Sequence, residues 1–115
     1  MKASILSQDQ YNALSRKLIK TIESRCRIVP LNTLKHPRYF LKRPLHITVE
    51  FDKDTVIASL DDIEAFAYAD TEFEAVNSLC QEIINIYEDL REDRKNLGVL
   101  PKAWLEYLEE VIESK

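Results

Sequence analysis

Residues 45–69 read LHITVEFDKDTVIASLDDIEAFAYA, and the fold turns on how this run is interpreted. Leu45, Ile47, Val49 and Phe51 alternate with His46, Thr48, Glu50 and Asp52. Successive side chains of a strand point to opposite faces, so a period of two predicts a half-buried strand with one apolar and one polar side. Lys53-Asp54 is a short polar turn. Val56, Ala58 and Leu60 then alternate with Thr55, Ile57 and Ser59, and so short a link predicts an antiparallel hairpin. Asp61-Asp62 turns the chain again. From Glu64 to Ala69, Ala65, Ala67 and Ala69 share one face while Phe66 and Tyr68 share the other. Alanine is a poor strand former, but the alternation and the helix start at Thr71 identify a third strand. An alanine face lets a helix approach closely. The aromatic face needs a cover, for which the first helix, the basic connector and a second copy of the chain are the candidates.

The helix expected over Thr71–Lys95 has a marked beginning. Thr71 and Glu74 have the spacing of a capping box, in which each side chain meets the other residue's backbone amide. Asp70, Glu72 and Glu74 place negative charge at the positive end of the helix dipole, and Arg91, Arg94 and Lys95 place positive charge at the other. Val76, Leu79, Cys80, Ile83, Tyr87 and Leu90 recur at helical spacing, and Phe73, Ile84 and Ile86 widen the apolar surface. So broad a stripe requires partners on more than one side. Gly98, the single glycine, sits where a left-handed residue would end this helix. Pro101 suits the first turn of a last helix running to about Glu113, with Trp104, Leu105, Leu108, Val111 and Ile112 on its apolar face.

Before the sheet, Ser7 to about Arg25 predicts a first helix with Tyr11, Leu14, Leu18 and Ile22 as its ridge and Arg16, Lys17 and Lys20 off it. Cys26 to Pro44 reads as a connector. It includes a short extended piece at Arg27-Ile28-Val29, stopped by Pro30, and a helical turn near Asn32–Lys35. Pro30, Pro37 and Pro44 interrupt regular structure. The expected architecture is α+β: a three-stranded antiparallel meander on one long helix, with an N-terminal helix, a basic connector and a short C-terminal helix. All 115 residues form one domain, divided into a basic helix and arm over 1–44, a β-β-β-α core over 45–97 and a C-terminal helix over 98–115.

Charge is unevenly distributed. Residues 1–44 hold ten Lys/Arg against Asp9 and Glu23, a net of +8, whereas residues 45–115 hold six Lys/Arg against eighteen Asp/Glu, a net of −12; together they give the total of −4. A basic arm and an acidic body attract each other, within a chain or across an interface. No apolar run approaches the roughly 18 residues of a membrane span. The first residues lack the apolar core of a signal peptide, so a cytoplasmic location is expected. Cys80 lies in the core stripe and reads as a small buried hydrophobe; nothing calls for an oxidising compartment, although pairing with Cys26, the other cysteine, stays open.

Chemistry-bearing patterns are few. Glu50, Asp52, Asp61, Asp62 and Glu64 near the strand ends could hold a divalent cation, but a solvated acidic sheet edge that discourages edge pairing explains them more simply. His36 and His46 lack companions at zinc-ligand spacing. No nucleophile–base arrangement is evident, and one glycine cannot build a phosphate loop. The expectation is a non-enzyme with no cofactor and no metal. Lys35, His36, Arg38, Tyr39, Phe40, Lys42 and Arg43 mix cations with aromatics, which suits single-stranded nucleic acid; the alternative is an arm laid on an acidic body with Tyr39 and Phe40 as buried anchors.

Three runs in order resemble the HicB-like antitoxin family: Ile47-Thr48-Val49-Glu50-Phe51-Asp52, then Val56-Ile57-Ala58-Ser59-Leu60, then Tyr68-Ala69-Asp70-Thr71-Glu72-Phe73-Glu74-Ala75. In that family a V-A-S-L type second strand precedes a third strand leading into a G-D-T-x-E-E-A helix start. The resemblance covers roughly residues 45–95. It implies a partial ribonuclease-H-like fold that neutralises a small toxin by stoichiometric binding. The family's Pro-Gly-Cys turn is absent, with Asp62-Ile63-Glu64-Ala65 in its place, and Ala69 stands where the family has glycine. No DNA-binding segment follows the long helix. The expected partner surface is Glu82, Glu88, Asp89, Glu92 and Asp93 on that helix. The competing expectations are a nucleic-acid-binding regulator acting through Lys35, Arg38, Tyr39, Phe40, Lys42 and Arg43, and a homodimer.

Overall fold

A computed structural model describes residues 26–114. The helix expected over Ser7–Arg25 lies outside them. The described elements run β1 (Cys26–Leu31), β2 (Tyr39–Leu41), β3 (Leu45–Asp52), β4 (Thr55–Leu60), β5 (Ala65–Ala69), α1 (Glu72–Glu92), α2 (Val99–Val111) and β6 (Ile112–Ser114), so the class is α+β. One antiparallel sheet has the order β1-β3-β4-β5, and β2 with β6 forms a separate two-stranded ribbon.

The sheet thus has four strands where the meander accounts for three. Residues expected to be connector supply the fourth: β1 pairs with β3 from Cys26↔Glu50 to Leu31↔Leu45. Pro30 lies inside β1 opposite His46 and does not stop it. Proline lacks only the N–H, and β1 is an edge strand that pairs on one side, where that loss is tolerated. No helical turn forms at Asn32–Lys35, where Lys35 adopts a left-handed φ of 57°. Instead the Thr33 hydroxyl accepts from the Lys35 amide at 3.0 Å, a local turn that competes with helix.

Alternation sorts the two faces of the sheet. Leu45, Ile47 and Val49 from β3, and Val56, Ala58 and Leu60 from β4, are buried under α1. Ala65 on β5 faces the same way, β5 packs against α1, and Ala75 of α1 is fully buried. Methyl side chains on both elements let helix and strand lie close together. The helix contributes Leu79, Cys80, Ile83, Ile84 and Tyr87, and α2 closes the core with Leu105, Leu108 and Val111. Each fully buried aliphatic side chain is worth about 1.5–3 kcal/mol relative to exposure, and the same core continues into Leu31, Leu34 and Tyr39 of the former connector. Cys80 and Cys26 are both free thiols, one buried and one exposed.

Half of the capping-box reading of α1 is present: the Thr71 hydroxyl takes the Glu74 amide, whereas the Glu74 carboxylate accepts from the Thr71 hydroxyl and not from the Thr71 backbone amide. Thr71 is the N-cap, extended at φ −129° and ψ 158°, and its hydroxyl accepts from the Glu74 amide at 3.1 Å. The hydroxyl also contacts the Glu74 carboxylate at 3.1 Å. The other end differs from expectation. The α-helix stops at Glu92, and Arg94–Asn96 form a 3-10 turn. Gly98 is not left-handed: at φ −74° and ψ −174° it is the extended N-cap of α2, where the Lys102 amide donates to its carbonyl at 3.1 Å. The last helix also stops earlier, at Val111, because Ile112 turns extended to begin β6.

The outer face of the sheet is uncovered among the described residues. Ile28 of β1 is 72% exposed, and Phe66 and Tyr68 of β5 are 60% and 68% exposed.

Candidate functional site

The charge asymmetry finds its first answer inside the chain. Residues 35–43 lie along α1 and α2 and are fastened at several points. Tyr39 is the central anchor. It is 4% exposed, its ring meets the edge of Tyr87 at 5.6 Å with an interplanar angle of 81°, and its phenol donates to Glu88 Oε2 at 2.8 Å. Edge-to-face geometry places the positive ring edge on the partner's negative face. The Glu88 carboxylate, with burial assisting, holds the Tyr39 phenol above its ordinary pKa. His36 also meets the Tyr39 ring, tilted by 32° with 4.8 Å between centroids.

On either side of this anchor the cations are engaged. Lys35 Nζ donates to Asn77 Oδ1 at 2.6 Å and lies 4.7 Å from the Phe73 ring centre. The Lys42 amide donates to the Val111 carbonyl at 2.8 Å, and its ammonium reaches the Glu109 carbonyl at 3.4 Å. Arg43 pairs with Glu110 at 3.0 Å, although both side chains are so exposed that the pair adds at most about 1 kcal/mol. Glu109 is held by Arg94. From the far side β6 pairs with β2, Tyr39↔Ser114 to Leu41↔Ile112. The arm is thus gripped between α1 and the segment after α2.

This geometry sorts the residues singled out by sequence. Of the nucleic-acid set, Tyr39 is buried and offers no free ring face for a base, while Lys35, Lys42 and Arg43 contact the body of the same chain. Phe40 is 41% exposed rather than a buried anchor. Arg38 is exposed and lines an open cleft of about 540 Å³ with Glu88, Asp89, Arg91, Glu92 and Ser114. Arg91 in turn lies 5.0 Å over the Tyr87 ring.

All five expected partner-binding carboxylates, Glu82, Glu88, Asp89, Glu92 and Asp93, are exposed on α1 or at its end, but they fall into two groups. Glu88 and Glu92, one turn apart, border the arm and its cleft, and Asp89, though it belongs to the second group by helical position, also lines that cleft. Glu82, Asp89 and Asp93 fall at offsets 0, 7 and 11, a single stripe turned away from the core. None of these three is in an ion pair among the described residues. Sequence reasoning grouped all five together because the Tyr39 phenol that donates to Glu88 is 49 residues away in the chain.

The acids near the strand ends do not converge. No group of three or more His, Cys, Asp or Glu able to hold a metal ion occurs among the described residues. Asp61 and Asp62 form a 3-10 turn with Ile63, ended by Glu64 at φ 55°. Asp62 accepts from the Tyr107 phenol at 2.9 Å. Burial first, and this hydrogen bond second, push that phenol up to about 12. Asp62 is therefore a tether between the β4–β5 turn and α2. No helix of the described chain is long and apolar enough to cross a membrane. Against family models, characterised proteins and solved structures the chain finds no match.

Proposed function

We propose that this protein is a non-catalytic binding module that docks, through the acidic outer stripe of α1, onto a basic surface of a protein partner. The observation that carries the reading is the row Glu82, Asp89 and Asp93: two exposed carboxylates on one rigid helix and a third at its C-cap, none of them in an ion pair among the described residues. A helix held along its length by a core presents such a row at fixed spacing, and charge complementarity of this kind speeds and orients encounter. Within this reading, the strand and helix-start motifs at residues 47–75 favour a HicB-like antitoxin, whose partner is a small, nucleic-acid-cleaving toxin. A toxin of that kind needs a basic face for its substrate, and an acidic helix can occupy it.

The test is affinity purification of the full chain from its native cell, identification of the co-eluting protein, and titration of that protein against two variants. Glu82→Lys/Asp93→Lys should weaken binding by about tenfold or more at low salt, with the difference shrinking as salt rises. Arg43→Glu, on the arm, should leave affinity within about twofold, as a rim change remote from the stripe would. An acidic partner, or equal affinity of the stripe variant, would refute the proposal.

A further inference from the structure

We propose that this protein forms a reversible homodimer through the outer edge of β5. The β5 strands of two copies pair antiparallel about a two-fold axis at Ala67 and join the two sheets into one of eight strands. The pairing uses none of the α1 carboxylates and is independent of the acidic stripe.

The four-stranded sheet has two edges, β1 and β5. A strand edge carries a row of backbone donors and acceptors that can template another strand, and proteins blunt such edges with charge or proline. β1 has both devices, in Arg27 and Pro30. β5, which reads Ala65-Phe66-Ala67-Tyr68-Ala69, has neither. Among the described residues no strand pairs with its outer side, and Phe66 and Tyr68 stand 60% and 68% exposed.

The symmetry of this strand selects a second copy as the occupant. Alanine and aromatic residues alternate about Ala67, so the run has the same pattern in either direction. A two-fold axis there sets Ala67 against Ala67, Phe66 against Tyr68 twice, and Ala65 against Ala69 twice. On the outer face both aromatic pairs become direct cross-strand neighbours, an arrangement that stabilises sheets. On the helix side only methyl groups of β5 meet, and Ala67 and Ala69 are no more than half-buried there. Any extended segment can use the edge hydrogen bonds, but a copy of the same strand also matches aromatic to aromatic and methyl to methyl. Such an isologous contact consumes the edge it needs, so assembly stops at two.

Area and charge set its strength. Burying the exposed parts of Phe66 and Tyr68 in both copies removes at most about 500 Å² of aromatic surface. With the strand edges added, the contact falls short of the roughly 1,200 Å² of a standard interface. The same register brings exposed Glu64 of each copy opposite exposed Asp70 of the other, a like-charge pairing that works against association. The dimer is therefore weak and dissociates on dilution.

Sedimentation equilibrium of the full chain tests this, with reductant present because Cys26 is an exposed thiol. The parent should pass from monomer to dimer between about 1 and 500 µM. Phe66→Lys/Tyr68→Lys sets lysine against lysine in this register and should weaken association by about tenfold or more. Phe66→Lys/Tyr68→Glu sets lysine against glutamate and should recover association at low salt, with the recovery fading as salt rises. Glu64→Lys should tighten the dimer by about threefold or more at low salt; Lys35 and Lys53 hold the same left-handed backbone, φ 57°, so lysine suits position 64. The altered side chains are exposed, and circular dichroism verifies that each variant is folded. A parent that stays monomeric throughout, a Lys/Lys variant that associates as the parent does, a Lys/Glu variant no tighter than the Lys/Lys one, or a Glu64→Lys variant no tighter than the parent would each overturn the proposal.

Discussion

Tyr39 is the residue on which the attachment of the arm depends, and two substitutions there separate its contributions. Tyr39→Phe keeps the buried ring and its edge contact with Tyr87 but removes the phenol that donates to Glu88. Glu88 is exposed, so its carboxylate recovers water when the bond is lost, and the expected loss of stability is about 1 kcal/mol. Tyr39→Ala removes a ring that is 4% exposed and continuous with the main core. Losses for buried aromatic truncation run to about 3–5 kcal/mol, a transfer term plus a cavity term. Against a total stability of order 5–15 kcal/mol, the second change removes a large fraction and the first does not. Chemical denaturation followed through Trp104, the single tryptophan, measures both. Glu88→Ala combined with Tyr39→Phe should show clear non-additivity, because each partner's change removes the same bond. If Tyr39→Ala lost less than about 1 kcal/mol, the arm would be adhering to the body and not anchored in its core, and the reasoning would fail. The same geometry makes Glu88 an ambiguous probe of partner binding, since reversing its charge also disturbs the arm.

Two further outcomes follow from the local structure. Thr71→Ala should lower stability by about 1 kcal/mol through loss of the cap on the Glu74 amide, while Thr71→Ser should retain most of it; equal stability of the alanine variant would mean the cap contributes nothing. Alkaline conditions should destabilise the fold. The Tyr107 phenol ionises near 10 when unfolded but is pushed up to about 12 when folded, and Tyr39 is shifted in the same direction. Between these values the unfolded chain has lost protons that the folded chain keeps, so this contribution is intact below pH 10 and is lost as pH rises toward 12. Denaturation midpoints across that window should fall less steeply for Tyr107→Phe, and an identical slope would count against the assignment.

What the sequence made legible was local. The alternation from Leu45 to Leu60 and the box at Thr71 and Glu74 are short-range signals, and they place β3, β4, β5 and the start of α1 correctly. What it hid was non-local. β1 lacks clean alternation because Cys26 and Ile28, on its outer side, are apolar as well, and Pro30 reads as a breaker unless the strand is known to be an edge. β2 and β6 are three residues each, and neither has a pattern of its own; each is a strand only because the other is there. Gly98 was misread because an extended glycine before Pro101 can start one helix as readily as it can end another. The candidate site followed the same rule. Surplus acid on α1 is visible in composition, but only the path of the arm reveals that Glu88 takes the Tyr39 phenol while Glu82, Asp89 and Asp93 are in no ion pair among the described residues.

The ribbon of β2 and β6 has a kinetic consequence. Its two halves lie far apart in the chain, so zipping them closes a loop that encloses β3, β4, β5 and both helices, and such closures are slow to be rewarded. The hairpin of β3 and β4 closes across two residues and can form early. The arm should therefore be the last part to dock and the first to peel away, with an exchange rate of its own amides set by local release instead of by collapse of the whole molecule.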